Sequence, residues 1–222
     1  FVGVANAAQG SIVIDTRAGN DTISVTVGTA LAADAASISQ LLTVTPGAGT
    51  DSLTKVGTNG DFGLGTMIVN VAAGDSSTSA WDTITGFDLS TANTFSDGLN
   101  FEGTAAVSDF TTTVDFGVIQ SHTHATAGII TFDDVADFST ALVISATNIA
   151  DVVGYLKANA AANDTAAFAY DSDGDGAADG TMVFHQGSSA GVADDLVFLA
   201  GVTADSVLTT NASAGANDLF VA

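Results

Sequence analysis

Asp171-Ser172-Asp173-Gly174-Asp175-Gly176, followed by Asp179, puts carboxylates at positions 1, 3, 5 and 9 of a loop with glycine at position 6. That spacing wraps oxygen ligands around a hard cation such as calcium. Four carboxylates within nine residues repel one another unless a cation lies among them. Position 12, where a helix-loop-helix calcium site supplies a bidentate glutamate, is Met182. The flanks, 167–170 and 181–185, read as strands rather than helices. The expectation is a calcium-holding β-hairpin turn of modest affinity. The alternative is an acidic turn that binds nothing.

A second pattern lies upstream. Gly47-Ala48-Gly49-Thr50-Asp51-Ser52-Leu53-Thr54 follows the calcium-binding nonapeptide G-G-x-G-x-D-x-U-x from its second position, with Pro46 in place of the first glycine. Ala18-Gly19-Asn20-Asp21-Thr22-Ile23-Ser24 is a degenerate copy that keeps Gly19, Asp21 and the apolar residue, with Thr16 and Arg17 at the leading positions. The glycines permit left-handed backbone, which turns carbonyls toward an ion. The aspartate supplies charge, and the apolar residue two places later starts a strand.

These residues resemble the repeats-in-toxin (RTX) group of secreted bacterial proteins, in which tandem nonapeptides form a parallel β-roll with calcium between turns. Here the copies are isolated in sequence rather than tandem. A succession of segments extends the resemblance. Asp82-Thr83-Ile84-Thr85-Gly86-Phe87-Asp88 is followed by Asp97-Gly98-Leu99-Asn100-Phe101, by Phe168-Ala169-Tyr170 with the acidic loop, and by Asp194-Asp195-Leu196-Val197-Phe198-Leu199. This order is similar to the C-terminal region of proteins exported by type I secretion, some surface-layer proteins included. The final Asn217-Asp218-Leu219-Phe220-Val221-Ala222 is similar to the uncleaved export signal of that group. The resemblance implies calcium as the bound ion, an extracellular or cell-surface location, and the type I secretion machinery as a partner.

Three further patterns read as enzyme-like. Gly187-Ser188-Ser189-Ala190-Gly191 matches G-x-S-x-G, but a strand rather than a helix is expected after it and no histidine follows Ser189. His122 and His124 stand two apart and on a strand share a side, so that with His185 they could hold zinc or copper; a polar turn is the plainer reading. Asp133/Asp134 and Asp194/Asp195 are adjacent, so on a strand each pair splits between two faces and cannot act as acid and base together; the pairs read instead as edge charges or calcium ligands. No catalytic residue is expected.

The elements that must position these residues follow from composition and periodicity. Of 222 residues, 46% are hydrophobic, enough for a core, while 25 acidic residues face three basic ones, Arg17, Lys55 and Lys157. A net charge of −22 excludes nucleic acid as a partner and makes a cation the natural counter-species. Glu102 is the sole glutamate; the remaining acids are aspartate, whose short carboxylate bonds nearby backbone N–H groups and favours turns. There are no cysteines, so calcium or a good core must stabilise the fold. No apolar run reaches the ~18 residues of a membrane span.

Runs rich in Val, Ile, Thr and Phe predict strands at 11–14, 23–27, 41–45, 67–71, 112–118 and 196–199. Helices are predicted at 30–40 and at 148–162, the second capped by Thr147 and stopped by Asn163. Asp21-Thr22-Ile23, Asp51-Ser52-Leu53 and Asp82-Thr83-Ile84 recur 30 and 31 residues apart, as stacked coils of a solenoid would. The expected fold is mainly β: a β-roll or solenoid-like portion over 1–100, then a β-sandwich-like portion over 101–222 with one helix. The expected function is that of a secreted, calcium-dependent structural protein that assembles with copies of itself. The alternatives are a non-catalytic export and folding module of a larger secreted hydrolase or toxin, and a calcium-dependent adhesin.

Overall fold

The computed structural model describes residues 11–26, 40–57, 64–88, 97–102, 106–107, 114–126, 128–188, 193–203, 208–210 and 218–221. The chain is mainly β, with two packed sheets and one helix among the described residues.

The first seven strands are β1 (Ser11–Asp15), β2 (Thr22–Thr26), β3 (Gln40–Thr45), β4 (Ser52–Val56), β5 (Leu64–Val71), β6 (Asp82–Thr85) and β7 (Gly98–Phe101). The chain changes sheet at each step. β1, β3, β5 and β7 pair in parallel in the first sheet, and β2, β4 and β6 pair in parallel in the second. The repeat sets the register, with Thr22 opposite Ser52 opposite Thr83, and Ile23 opposite Leu53 opposite Ile84. Side chains alternate between faces. Ile23 is therefore buried between the exposed Thr22 and Ser24, and Leu53 beside the exposed Ser52.

Next come β8 (Ala106–Val107), β9 (Ser121–Thr126), β10 (Ile129–Asp133), helix α1 (Ile149–Asn159), β11 (Asp164–Tyr170), β12 (Gly180–His185), β13 (Asp195–Ala200), β14 (Leu208–Thr210) and β15 (Asp218–Val221). β13 joins the second sheet parallel to β6, and β12 and β11 follow it as antiparallel neighbours. β10 and β9 complete that sheet, with β8 paired to β11. β15 and β14 extend the first sheet beyond β7 in antiparallel pairing.

Two cores result. The first lies between the sheets and holds Leu42, Val44, Val69, Leu99 and Phe101 against Ile23, Leu53, Ile84, Val183, Val197 and Leu199. The second lies between the far face of the second sheet and α1. It holds Phe132, Phe168, Met182, Phe184, Leu196 and Phe198 against Ile149, Val152, Val153, Tyr155 and Leu156. β12 and β13 supply alternate residues to the two cores, which is why they are apolar on both faces.

Most expected strands fall within observed ones: 11–14 in β1, 41–45 in β3, 67–71 in β5 and 196–199 in β13. That at 23–27 lies on β2 as far as Thr26; residue 27, like residues 30–39 of the first predicted helix, lies outside the described residues, and Gln40 opens β3. The strand expected at 112–118 is corrected over 114–118, residues 112 and 113 lying outside the described residues. Gly117 has φ 56°, and the chain reverses there, with Phe116 and Ile119 exchanging backbone hydrogen bonds of 3.0 and 2.9 Å. The second helix is shorter than expected. Its N-cap is Asn148 rather than Thr147, and no side chain caps it, because Asn148 instead bonds Ser145 N and Val143 O. Ala160, in extended conformation, ends it before Asn163.

Candidate metal centre

The acidic loop is the turn of the β11–β12 hairpin, so both flanks are strands. Asp171 is buried at its base. Its Oδ1 accepts Gly174 N–H at 2.6 Å and its Oδ2 accepts Gly176 N–H at 2.9 Å. Asp179 closes the loop from the other strand, where Oδ2 accepts the Ser172 hydroxyl at 2.6 Å and the N–H groups of Ser172 and Asp173 at 2.8 and 3.1 Å. The Ser172 hydroxyl and these N–H groups hold the Asp179 carboxyl below its ordinary range, so it stays charged. Asp173 Oδ1 accepts Asp175 N–H at 3.1 Å.

One carboxylate oxygen from each of Asp171, Asp173 and Asp179 lies within 4.8 Å of the other two. Ligands at about 2.4 Å from one calcium ion can stand no further apart than that. Asp175 is not in the group; its Oδ1 accepts Ala177 N–H at 2.8 Å and shapes the turn. Met182 points into the second core and adds nothing to the loop.

The nonapeptide residues form a different arrangement. The turns before β2, β4 and β6 stack, and the two copies that stand apart in sequence lie one on the other. Asp51 Oδ1 accepts Asp21 N–H at 2.6 Å, and Asp82 Oδ1 accepts Asp51 N–H at 2.8 Å. Gly19 N–H donates to Ala48 O at 2.9 Å, and Gly49 N–H to Asp75 O at 3.2 Å. The packing explains the glycines. Gly47 has φ 83°, and a Cβ on it would lie 1.5 Å from Arg17 O; one on Gly49 would lie 2.0 Å from Gly19 O. Thus Gly47 and Gly49 bring turn against turn, Gly19 presents the carbonyl against which Gly49 packs, and the Ala48 carbonyl accepts a hydrogen bond from the neighbouring turn.

Asp21 Oδ2 and Asp51 Oδ2 are buried without a hydrogen-bond partner among the described residues, and so is Asp195 Oδ2. Asp195 Oδ1 accepts Gly74 N–H at 2.8 Å. Burial raises the Asp51 carboxyl, helped by the charges of Asp21 and Asp75. Burial likewise pushes Asp82 up to about 7, beside Asp51 and Asp75, and Asp195 up to about 7, beside Asp75 and Asp194. The corner therefore gathers Asp51, Asp82 and Asp195, whose charged form burial disfavours, beside the unpartnered Oδ2 atoms of Asp21, Asp51 and Asp195. Calcium fits this donor set, which is all oxygen and partly unsatisfied.

The nonapeptide pattern marks Asp21 and Asp51 as ligands, and the 31-residue step aligns Asp82 with them without marking it as one. Asp75 carries no such signal. Asp195 arrives from β13, and its sequence marks it as an edge charge or a calcium ligand without placing it beside these turns.

The other chemical patterns disperse. His122 Nδ1 bonds Tyr155 Oη at 2.6 Å in the second core, on strand β9 rather than in a polar turn, with the His124 ring 4.9 Å away. His185 stacks on Phe101 at 4.7 Å and bonds Thr165 Oγ1 at 2.9 Å in the first core, across the sheet. Asp133 accepts the N–H groups of Ser139, Thr140 and Asp134, which hold it down to about 2. Asp194 binds Gln186, Gly187 and Lys157. Ser189–Gly191 of the G-x-S-x-G pattern lie outside the described residues. No helix among the described residues is long and apolar enough to cross a membrane.

The chain matches no protein-family model, no curated protein and no solved structure.

Proposed function

We propose that this chain is a secreted, calcium-dependent structural protein that assembles with copies of itself at the bacterial cell surface. In this reading its first portion is a β-roll-like solenoid and the remainder is β-sandwich-like. The single observation that carries the proposal is the row Asp21, Asp51, Asp82, stacked in register, in which Asp21 Oδ2 and Asp51 Oδ2 lack partners among the described residues. The parallel alternation of β1 to β7 between two sheets supports the solenoid part.

The mechanism is charge neutralisation. With calcium scarce, carboxylates at the stacked turns and in the 171–179 loop repel, and the coils stay loose enough to pass the type I secretion machinery. Outside, calcium binds the folded state and not the unfolded one, so its binding free energy becomes folding free energy. Closed coils then present strand edges and acidic turns through which copies associate. The role is structural, with no catalytic step.

A calcium titration of the purified chain, followed together by circular dichroism and light scattering, tests this. β-structure and large assemblies that appear with calcium and vanish with chelator support it. Gain of structure without assembly removes the polymer and leaves a folding module. No response of either signal removes the calcium reading.

A further inference from the structure

The first core holds a charged pair. Lys55 on β4 faces inward on the same side as Leu53, opposite Val25 of β2, and its side chain is fully enclosed. Its Nζ is in direct contact with Asp97 Oδ2, and the Asp97 side chain is fully enclosed too. Asp97 stands immediately before β7, in the opposite sheet. Its Oδ1 accepts Met67 N–H at 3.0 Å, and Oδ2 also accepts Asp88 N–H at 2.9 Å.

We infer that Lys55 and Asp97 become joined by an isopeptide bond between Lys55 Nζ and Asp97 Cγ, formed by the folded chain itself. Two opposite charges enclosed away from water are costly to keep. Moving one ammonium proton onto Oδ2 cancels both and leaves a neutral amine against a carboxylic acid, the reacting pair of amide formation. The amine attacks Cγ, and negative charge collects on Oδ1, where the Met67 N–H already points. The Nζ–Cγ bond forms, the Cγ–Oδ2 bond breaks, and Oδ2 departs as water with a second proton from the lysine nitrogen. The third proton stays on the amide. No oxidant, reductant or other reactant enters.

Enclosure supplies what the reaction lacks in water. The contact replaces a bimolecular encounter, an advantage of about 10⁵ M or more in effective concentration. The product amide is neutral, so the burden of buried charge is gone, and its oxygen keeps the Met67 N–H. The link ties β4 of one sheet to the strand start of the other across 42 residues, in a chain that has no cysteine.

This inference is independent of the calcium reading, and the mass of the whole purified chain tests it. The expected mass lies one water below that of the sequence. Trypsin, which cuts after Arg17, Lys55 and Lys157, is expected to leave 18–157 in one piece, and further digestion at aromatic residues to release a branched peptide joining Lys55 to Asp97. Lys55→Arg and Asp97→Ala are each expected to restore the lost water; should either fail to fold, the unmodified chain still decides. The full sequence mass with complete cleavage after Lys55 overturns the inference. So does a missing water found in an unbranched peptide, as a ring closed by Gly98 nitrogen on Asp97.

Discussion

Asp51 places one carboxylate oxygen 2.6 Å from the backbone nitrogen of Asp21, thirty residues earlier, and leaves the other oxygen without a partner. One side chain thus does two things: it fastens turn to turn, and it offers a ligand. Asp51→Ala removes both and strands the Asp21 N–H, which is expected to cost about 1–3 kcal/mol in urea unfolding. Asp51→Asn keeps an oxygen for that N–H and drops the charge. It is expected to be at least as stable as the parent in chelator and to gain less from calcium. An Asn variant that gains as much as the parent would show that the ion does not use this oxygen.

Stability should fall with rising pH when divalent cations are removed. Asp82 and Asp195 are pushed up to about 7 by burial, whereas an unfolded aspartate titrates near about 4. Between those values the folded chain holds more protons than the unfolded one, so unfolding becomes easier as pH climbs through the window. Asp133 runs the other way. Held down to about 2 by backbone N–H groups, it adds stability above about pH 4 that is lost as pH falls toward 2. Thermal unfolding on resin-treated protein is expected to give a maximum near pH 4, and calcium to lift the neutral side of the curve. A midpoint that rises from pH 4 to 7 without calcium contradicts the buried carboxylates.

Gly47 and Gly174 share a left-handed backbone, with φ 83° and 80°, yet differ in surroundings. Gly174→Ala meets nothing within 4 Å and is expected to cost only about 1 kcal/mol. Gly47→Ala drives a methyl into Arg17 O and is expected to cost several times as much, or to unstack the first turn. Equal costs in denaturant titration would mean that the turns do not touch.

Within the hairpin loop, Asp179→Asn and Asp171→Asn are expected to weaken calcium binding about tenfold or more, read by calorimetry. Asp175→Asn is expected to change it little, since Asp175 is outside the group of three. A loop in which Asp175→Asn is the most damaging would need to close differently around the ion.

The carboxylate repeat is legible in sequence because each Asp stands two residues before an apolar strand residue, Ile23, Leu53 or Ile84, and a near-constant step sets the register. The same step places Asn100 Nδ2 2.9 Å from Asn70 Oδ1, a ladder that needed the register to be seen. β12 and β13 were readable only as apolar runs, since residues facing opposite cores carry no alternation. Asp195 joined the turn row because β13 lies beside β6, a pairing between residues far apart that local pattern does not encode. The enclosure of Lys55 was not legible for the converse reason: a lone lysine on a strand reads as solvent-facing, and its contact with Asp97 across the core needs the fold to be seen.

The pairings of β6 with β13 and of β7 with β15 have a consequence for the order of folding. β1 to β7 pair with strands close by in the chain, whereas the outer edges of β6 and β7 are covered by strands from residues 195–221, so both sheets stay open at one edge until those strands dock. During that interval a strand from a neighbouring chain has the same access to β6 and β7 as their eventual partners do. Delay in docking the last segments lengthens that exposure, and their arrival ends it at both edges.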